Sequence, residues 1–271
     1  MRWARFEHEG SVKLGKVEDG RIQPVAAQSM QEVIRGEGTE AAEDPVAVEE
    51  VRTLSPLRPD KIVAVGQNYM DHIREQGNEP PGIPVLFPKF PTNVIGPEEE
   101  IRWPKNLTQQ VDYEAELAVI IGEGGRCLRE EDALEAVFGY TAANDVTARD
   151  LQFAEGGQWT RGKAIDTFLP LGPTVVSREE ILDPQALPIV CRVNGETLQD
   201  SNTKEMVFTV AELVAFVSQS VMLEPGDVIL TGTPHGVGVF RDPQVFLQPG
   251  DKVEVEVGDF GVLSNPVGKY L

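Results

Sequence analysis

Val111-Asp112-Tyr113-Glu114-Ala115-Glu116-Leu117-Ala118-Val119-Ile120-Ile121 is the stretch on which the reading of the fold turns. Its second half is apolar at every position, as in a strand buried on both faces, and its first half carries acids at every second residue. Side chains of a strand alternate, so Glu114 and Glu116 share a face. A solvated edge strand would show that pattern too. A strand that enters a core, however, needs a reason to hold two acids at its mouth, and a hard divalent cation with oxygen ligands is one.

Outward from this stretch the pattern stays mostly β. Ile62 to Val65 reads as a buried strand, Val137 to Ala143 as another, and Asn194-Gly195 as a hairpin turn. Pro225-Gly226-Asp227 and Pro249-Gly250-Asp251 are turns, leading into Val228 to Thr231 and into the alternating Lys252 to Val257. One helix is clear: Thr209 and Glu212 form a capping box ahead of Leu213, Val214, Phe216 and Val217. Helices do not alternate with strands, which argues against a doubly wound sheet. Before Pro56, Trp3 to His8, Val12 to Val17 and Arg21 to Val25 read as short strands, and Met30 to Arg35 as a turn or two of helix. The acidic, alanine-rich Gly38 to Glu50 has the composition of a linker. The expected organisation is a small β-rich unit over 1–56 and a larger domain over 57–271.

The 271 residues carry a formal net charge of −20. That disfavours nucleic acid and anionic membranes as partners, since both call for clustered Lys and Arg. Cys127 and Cys191 lack metal or disulfide spacing and read as buried free thiols of a reducing compartment. The N-terminus lacks a signal-peptide core, and no run approaches the about 18 apolar residues of a membrane helix. A soluble, cytoplasmic protein is expected.

Further residues can carry chemistry. Asp145 follows the strand ending at Ala143 and precedes a helix expected from Thr147; it suits an N-cap or Asx turn, or a third ligand beside Glu114. Arg149 and Gln152 are spaced to share a helical face. Lys163, in Arg161-Gly162-Lys163, reads locally as an exposed strand lysine. His72 and Glu75 stand one helical turn apart, so the carboxylate can orient the imidazole, although a surface helix face fits as well. Thr231-Gly232-Thr233-Pro234-His235-Gly236-Val237-Gly238 follows a strand, and its hydroxyls and backbone N–H groups suit a substrate carboxylate. It lacks the ending of a P-loop, and Gly122-Glu123-Gly124-Gly125 is only a turn.

Taken in order, these segments resemble the fumarylacetoacetate hydrolase family. The resemblance rests on Gly66-Gln67-Asn68-Tyr69 with Asp71-His72, Tyr113-Glu114-Ala115-Glu116-Leu117, Asn144 to Gln152, Arg161-Gly162-Lys163, Val193-Asn194-Gly195-Glu196, Pro225-Gly226-Asp227 and Thr231 to Gly238, from Lys61 to the C-terminus. It implies a mainly β fold with some α, a mixed β-sandwich roll behind a small N-terminal domain, in a homodimer. It implies magnesium, replaceable by manganese or calcium, on Glu114, Glu116 and Asp145. By the same resemblance Lys163 is the active-site lysine, and His72 with Glu75 is a dyad on a lid that orders over substrate. Arg149, Gln152 and Thr233 match substrate contacts. Gln67 stands where several members carry another residue, so the substrate stays open.

The implied enzyme acts on a 2-oxo or 1,3-dioxo carboxylic acid through an enolate stabilised by the metal and Lys163. The outcomes are hydrolysis of an acylpyruvate C–C bond, or isomerisation or decarboxylation of a 2-hydroxy-dienedioate from aromatic ring cleavage. Oxaloacetate decarboxylation or tautomerisation is the alternative. A reading from a different class is a non-catalytic, metal-stabilised binding module, which would need the carboxylates but neither Lys163 nor the His72–Glu75 pair.

Overall fold

The computed structural model describes residues 1–270. In chain order the strands are β1 Arg2–His8, β2 Ser11–Glu18, β3 Arg21–Pro24, β4 Val46–Ala47, β5 Arg52–Leu54, β6 Ile62–Gly66, β7 Val85–Lys89, β8 Val94–Ile95, β9 Val111–Asp112, β10 Ala115–Ile121, β11 Val137–Asn144, β12 Thr147–Ala148, β13 Leu169–Ser177, β14 Pro188–Val193, β15 Glu196–Asn202, β16 Val228–Leu230, β17 Lys252–Val257 and β18 Val262–Pro266. The α-helices are α1 Met30–Ile34, α2 Met70–Glu75, α3 Glu130–Ala133, α4 Arg149–Gln152, α5 Trp159–Lys163 and α6 Val210–Ser220. No helix among the described residues is long and apolar enough to cross a membrane.

A 12-stranded sheet runs β4-β3-β2-β1-β13-β11-β10-β16-β6-β7, with β5 added to β1 and β8 to β13. The N-terminal strands join it where Arg2 and Trp3 of β1 pair with Val176 and Val175 of β13. A four-stranded sheet, β15-β14-β17-β18, packs across it. Strand β10 lies between β11 and β16, and its alternation separates two cores. Leu117, Val119 and Ile121 face the four-stranded sheet and the apolar side of α6. Ala118 and Ile120 face a second cluster with Leu14, Met30 and Val175. This is why the strand is apolar on both faces.

Most elements read from the sequence are present, including the β14–β15 hairpin at Asn194-Gly195 and the Thr209–Glu212 capping box. Four readings are corrected. The strand expected to run unbroken from Val111 to Ile121 is interrupted at Tyr113 and Glu114. There the ladder is replaced by side chains: Glu114 N donates to Asn144 Oδ1 at 2.9 Å and Tyr113 N to Asp112 Oδ1 at 2.9 Å. The helix expected from Thr147 begins at Arg149, because Thr147 and Ala148 pair with Asp112 and Val111 instead. The linker-like stretch is strapped to the sheet through β4 and a bridge from Val25 to Ala41, so its backbone is an edge strand rather than a free tether. Cys127 is exposed, and only Cys191 is a buried thiol.

Candidate active site

The open end of β10 forms the floor of a cleft. Because Ala115 of β10 pairs with Asn144 of β11, Asp145 arrives beside Glu114, and Asp145 N donates to Glu114 O at 2.9 Å. Ligand oxygens of Glu114, Glu116 and Asp145 lie within 4.8 Å of one another, all buried. Three like charges at that spacing out of water repel strongly, so the surroundings must supply positive charge.

Lys163 supplies part of it. The sequence suggested an exposed strand lysine; the structure puts it at the end of α5, 2% exposed. Its Nζ donates to Glu114 Oε2 and Asp145 Oδ2 at 2.7 Å each and to Thr147 Oγ1 at 2.8 Å. The preceding Gly162 explains how α5 comes so close: a Cβ there would lie 2.7 Å from Gln152 N and 2.9 Å from Ala148 O. Burial works against the Lys163 ammonium, but Asp145 and Glu114 outweigh it and hold its pKa above the ordinary value. Burial likewise opposes the Glu114 carboxylate, yet Lys163 and Arg149 bring its pKa down to about 2.

Two partners were not legible in the sequence. Lys89, at the end of β7, is fully buried, and its Nζ donates to Asp145 Oδ1 and, at 2.9 Å, to Phe168 O. Burial lowers its pKa despite Asp145. Nothing in the sequence around Lys89 points to a carboxylate 56 residues away. Asp112 is the second: it accepts from Arg149 Nε at 2.8 Å, Gly238 N at 2.7 Å and Val239 N at 3.0 Å. Arg149 also donates to Gln152 Oε1 at 3.0 Å. Its Nη2 lies 2.8 Å from Glu114 Oε1, an ion pair without hydrogen-bond alignment.

Glu116 is the least compensated acid, with Gly232 N at 2.8 Å as its hydrogen-bond donor. Burial, then Asp145 and Glu114, push its pKa well above the carboxylate range. Hard oxygen donors converging from three sides, one still short of positive charge, fit a divalent cation. Each carboxylate oxygen keeps a lone pair beyond its contact with a lysine, an arginine or, in Glu116, Gly232 N, so the residues present leave acceptor capacity for an ion.

The glycine-rich segment after β16 was read as holding a substrate carboxylate with its backbone N–H groups. Three of these groups instead hold the protein's own acids: Gly232 N bonds Glu116, Gly238 N bonds Asp112 and Gly236 N bonds Glu75 Oε1 at 2.9 Å. Thr233 Oγ1 donates to Ala115 O at 3.0 Å and accepts from Gln199 Nε2 at 2.9 Å.

The rim is α2. His72 is 6% exposed, its Nδ1 lies 3.1 Å from Glu75 Oε2, and its ring tilts against Phe240. Asp71, on the same helix, accepts from the Ser201 hydroxyl. The cleft between rim and floor has a free volume of about 50 Å³ and is lined by His72, Glu114, Glu116, Arg149, Gln152, Lys163 and Thr233, with Gln67, Gln76, Phe153, Trp159 and Phe240 at its sides. All the site residues read from the sequence except Glu75 and Asp145 therefore line one cleft, and those two bond directly to residues that do. A base, a lysine, an arginine and three clustered carboxylates around so narrow a space can bind and deprotonate a small oxygen-rich acid.

Comparison with known proteins gives the same outline. The model described as fumarylacetoacetate hydrolase, C-terminal, matches residues 61–268, and one described as Rv2993c-like, N-terminal, matches residues 1–56. A mitochondrial oxaloacetate tautomerase of Bos taurus is 52% identical over 220 residues, covering 80% of this chain and 70% of the relative. The structure of a fumarylacetoacetate hydrolase from Exiguobacterium antarcticum superimposes with a TM-score of 0.90 at 44% identity, covering 99% of each chain. A maleylpyruvate hydrolase from Sphingobium, in complex with manganese(II) and pyruvate, superimposes with a TM-score of 0.82 at 28% identity, covering 100% of each.

Proposed function

Because the chain belongs to the fumarylacetoacetate hydrolase family, we propose that its cleft interconverts the keto and enol forms of oxaloacetate or a closely similar 2-oxo dicarboxylate. Magnesium is the proposed ion, held by Glu114, Glu116 and Asp145. The observation that carries this reading is the position of Lys163 Nζ, 2.7 Å from two of those carboxylates, in a narrow cleft whose other wall is His72 bonded to Glu75. The name of the bovine relative supports it.

When bound, the cation supplies Lewis-acid polarisation of a 2-oxo acid's oxygens. Glu75 fixes the His72 ring through Nδ1, which leaves Nε2 as the nitrogen free to take a proton from C3 of the substrate. The Lys163 ammonium offsets the negative charge that develops on the 2-oxo oxygen. The His72 imidazolium delivers that proton to the oxygen, which completes the enol and restores the base; the C3–H bond breaks, an O–H bond forms, and no carbon–carbon bond changes connection. Arg149, Gln152 and Thr233 orient the substrate's carboxylates. Burial of Lys163 and His72 keeps bulk water from competing for these protons.

Hydrolysis of an acylpyruvate is the second reading, favoured by one observation: a histidine oriented by a carboxylate also suits activation of water. The test is to follow loss of the oxaloacetate enol absorbance with magnesium, beside pyruvate release from oxaloacetate and from an acylpyruvate. Enol–keto conversion at the highest kcat/KM is the expected result. Faster pyruvate release from the acylpyruvate would replace this proposal with the hydrolase.

A further inference from the structure

A second pocket, of about 570 Å³, opens where the N-terminal strands meet the catalytic sheet. Its lining includes Arg5, Arg52 and Arg58 with Ser55, Thr92 and Glu99. None of these lines the acid-floored cleft. Three arginines in one pocket are unexpected on a chain of net charge −20, where the overall field would draw each toward a carboxylate.

Only Arg52 has that arrangement. It pairs with Glu7, directly opposite it on the β1–β5 ladder, at 3.5 Å, and with Glu99 at 3.1 Å. Arg5 is half-buried, and its one side-chain hydrogen bond among the described residues is a long one, from Nη1 to Ser55 O at 3.4 Å. Among the described residues the Arg58 side chain has no hydrogen-bond or ion-pair partner, although its backbone carbonyl accepts from Gln31. Burial lowers the Arg5 pKa and Arg58 lowers it further, against a smaller opposing pull from Glu99, so the two guanidinium groups feel each other as like charges. Two guanidinium forks that repel, largely unused as donors, are complementary to an anion with several oxygens.

We infer that this pocket binds a small dianion, a phosphate group or a dicarboxylate, between the guanidinium groups of Arg5 and Arg58. Ser55 is not an available hydroxyl, since its Oγ donates to Leu57 O at 2.9 Å; Thr92, also in the lining, supplies the neutral polar contact. Arginine rather than lysine suits the task, because the planar fork meets two oxygens at once. A junction between an N-terminal unit and a catalytic sheet is also a common place for a ligand pocket.

The test is thermal denaturation and calorimetric titration of the magnesium-loaded protein with inorganic phosphate and, separately, with succinate, against sodium chloride at matched ionic strength. One of the two anions should raise Tm saturably, which also decides between phosphate and dicarboxylate. Arg58→Ala should weaken that binding at least tenfold, and so should Arg5→Ala with Arg58→Ala. Arg58 is exposed, so its single variant is decisive if the double variant folds poorly. Lys163→Ala, in the other cleft, should keep the full shift. No saturable shift with either anion overturns the inference. So does undiminished binding in Arg58→Ala, or a shift that disappears in Lys163→Ala while Arg58→Ala retains it.

Discussion

The floor and the rim of the cleft are built in opposite ways. On the floor, Glu114, Glu116, Asp145, Lys89 and Lys163 sit at or next to the ends of β10, β11 and the outer strand β7, or on α5 packed against α4, all nearly inaccessible to water. Glu114 and Asp145 are matched by ammonium or guanidinium groups within 3 Å, and Glu116 by one backbone N–H. The rim is a helix of 6 residues without a side-chain N-cap, anchored by buried Tyr69 and Ile73. Its side chains reach its neighbours mainly at the surface of the cleft: Glu75 accepts from Gly236 N, Asp71 from the Ser201 hydroxyl and, at 3.4 Å, from His235 N, and Arg74 pairs with Glu205 at 3.6 Å. Gly77, with φ of +68°, and the largely exposed run to Gly82 follow it. The difference separates two tasks. Concentrating like charges calls for a rigid, closely partnered frame, whereas admitting a substrate calls for a segment that opens at low cost.

The harshest way to break the floor is Asp145→Ala. It leaves Lys89 and Lys163 buried without the carboxylate they share, and removing one partner of a buried ion pair costs about 3–5 kcal/mol. The expected outcome is a large fall in Tm together with loss of magnesium binding by calorimetry. A variant that unfolds like the parent would show that the lysines find other partners and that the floor is less rigid than described. Next in size is Lys163→Ala, which should lower kcat by about 10²–10³-fold, the scale of losing one preorganised positive group beside a developing oxyanion. Here Lys89 still neutralises Asp145, so Tm should move less than in Asp145→Ala. Near-parental turnover would remove Lys163 from the chemistry.

Changes at the rim should act on rate and leave the fold almost untouched. His72→Ala should lower kcat by about 10²-fold with Tm nearly constant, as for a positioned general base. The loss should be seen on oxaloacetate tautomerisation itself. An effect confined to acylpyruvate cleavage would assign His72 to water activation and favour the hydrolytic reading.

The same contrast explains what the sequence disclosed. Period-two alternation made Glu114 and Glu116 visible, one-turn spacing made His72 and Glu75 visible, and turn chemistry placed the β14–β15 hairpin; each of these signals is local. The functional weight of Asp145 and Lys163 came from the joined motifs of the family, since locally they looked like a cap and a surface lysine. Lys89 and Asp112 stayed hidden because what gives them meaning is a partner 56 or 37 residues away in an adjoining element. The break at Tyr113 and Glu114 was invisible for the same reason: it depends on side chains, Asn144 among them, that replace ladder bonds. The glycine segment misled because its composition shows that N–H groups are free to turn inward but not which carboxylate they meet.

The smallest predicted effect sharpens the comparison most. Ser201→Ala removes the hydroxyl that ties Asp71, and with it α2, to β15. Asp71 keeps its bond from His72 N at 2.7 Å and is partly solvated, so the carboxylate is not stranded and the loss should be no more than about 1 kcal/mol, a typical net hydrogen bond. Hydrogen exchange gives the readout. The amides of Ile73 and Gln76, which bond to Tyr69 O and His72 O, should exchange up to about fivefold faster in the variant, in line with that free energy, while those of β10 and β11 stay protected to the parental extent. Faster exchange on β10 as well would mean that rim and floor open as one cooperative unit. Unchanged exchange on α2 would mean that the remaining contacts, the bond from Gly236 N to Glu75 and the packing of Tyr69 and Ile73, hold the helix without Ser201, and that the rim admits substrate by some motion other than its own release.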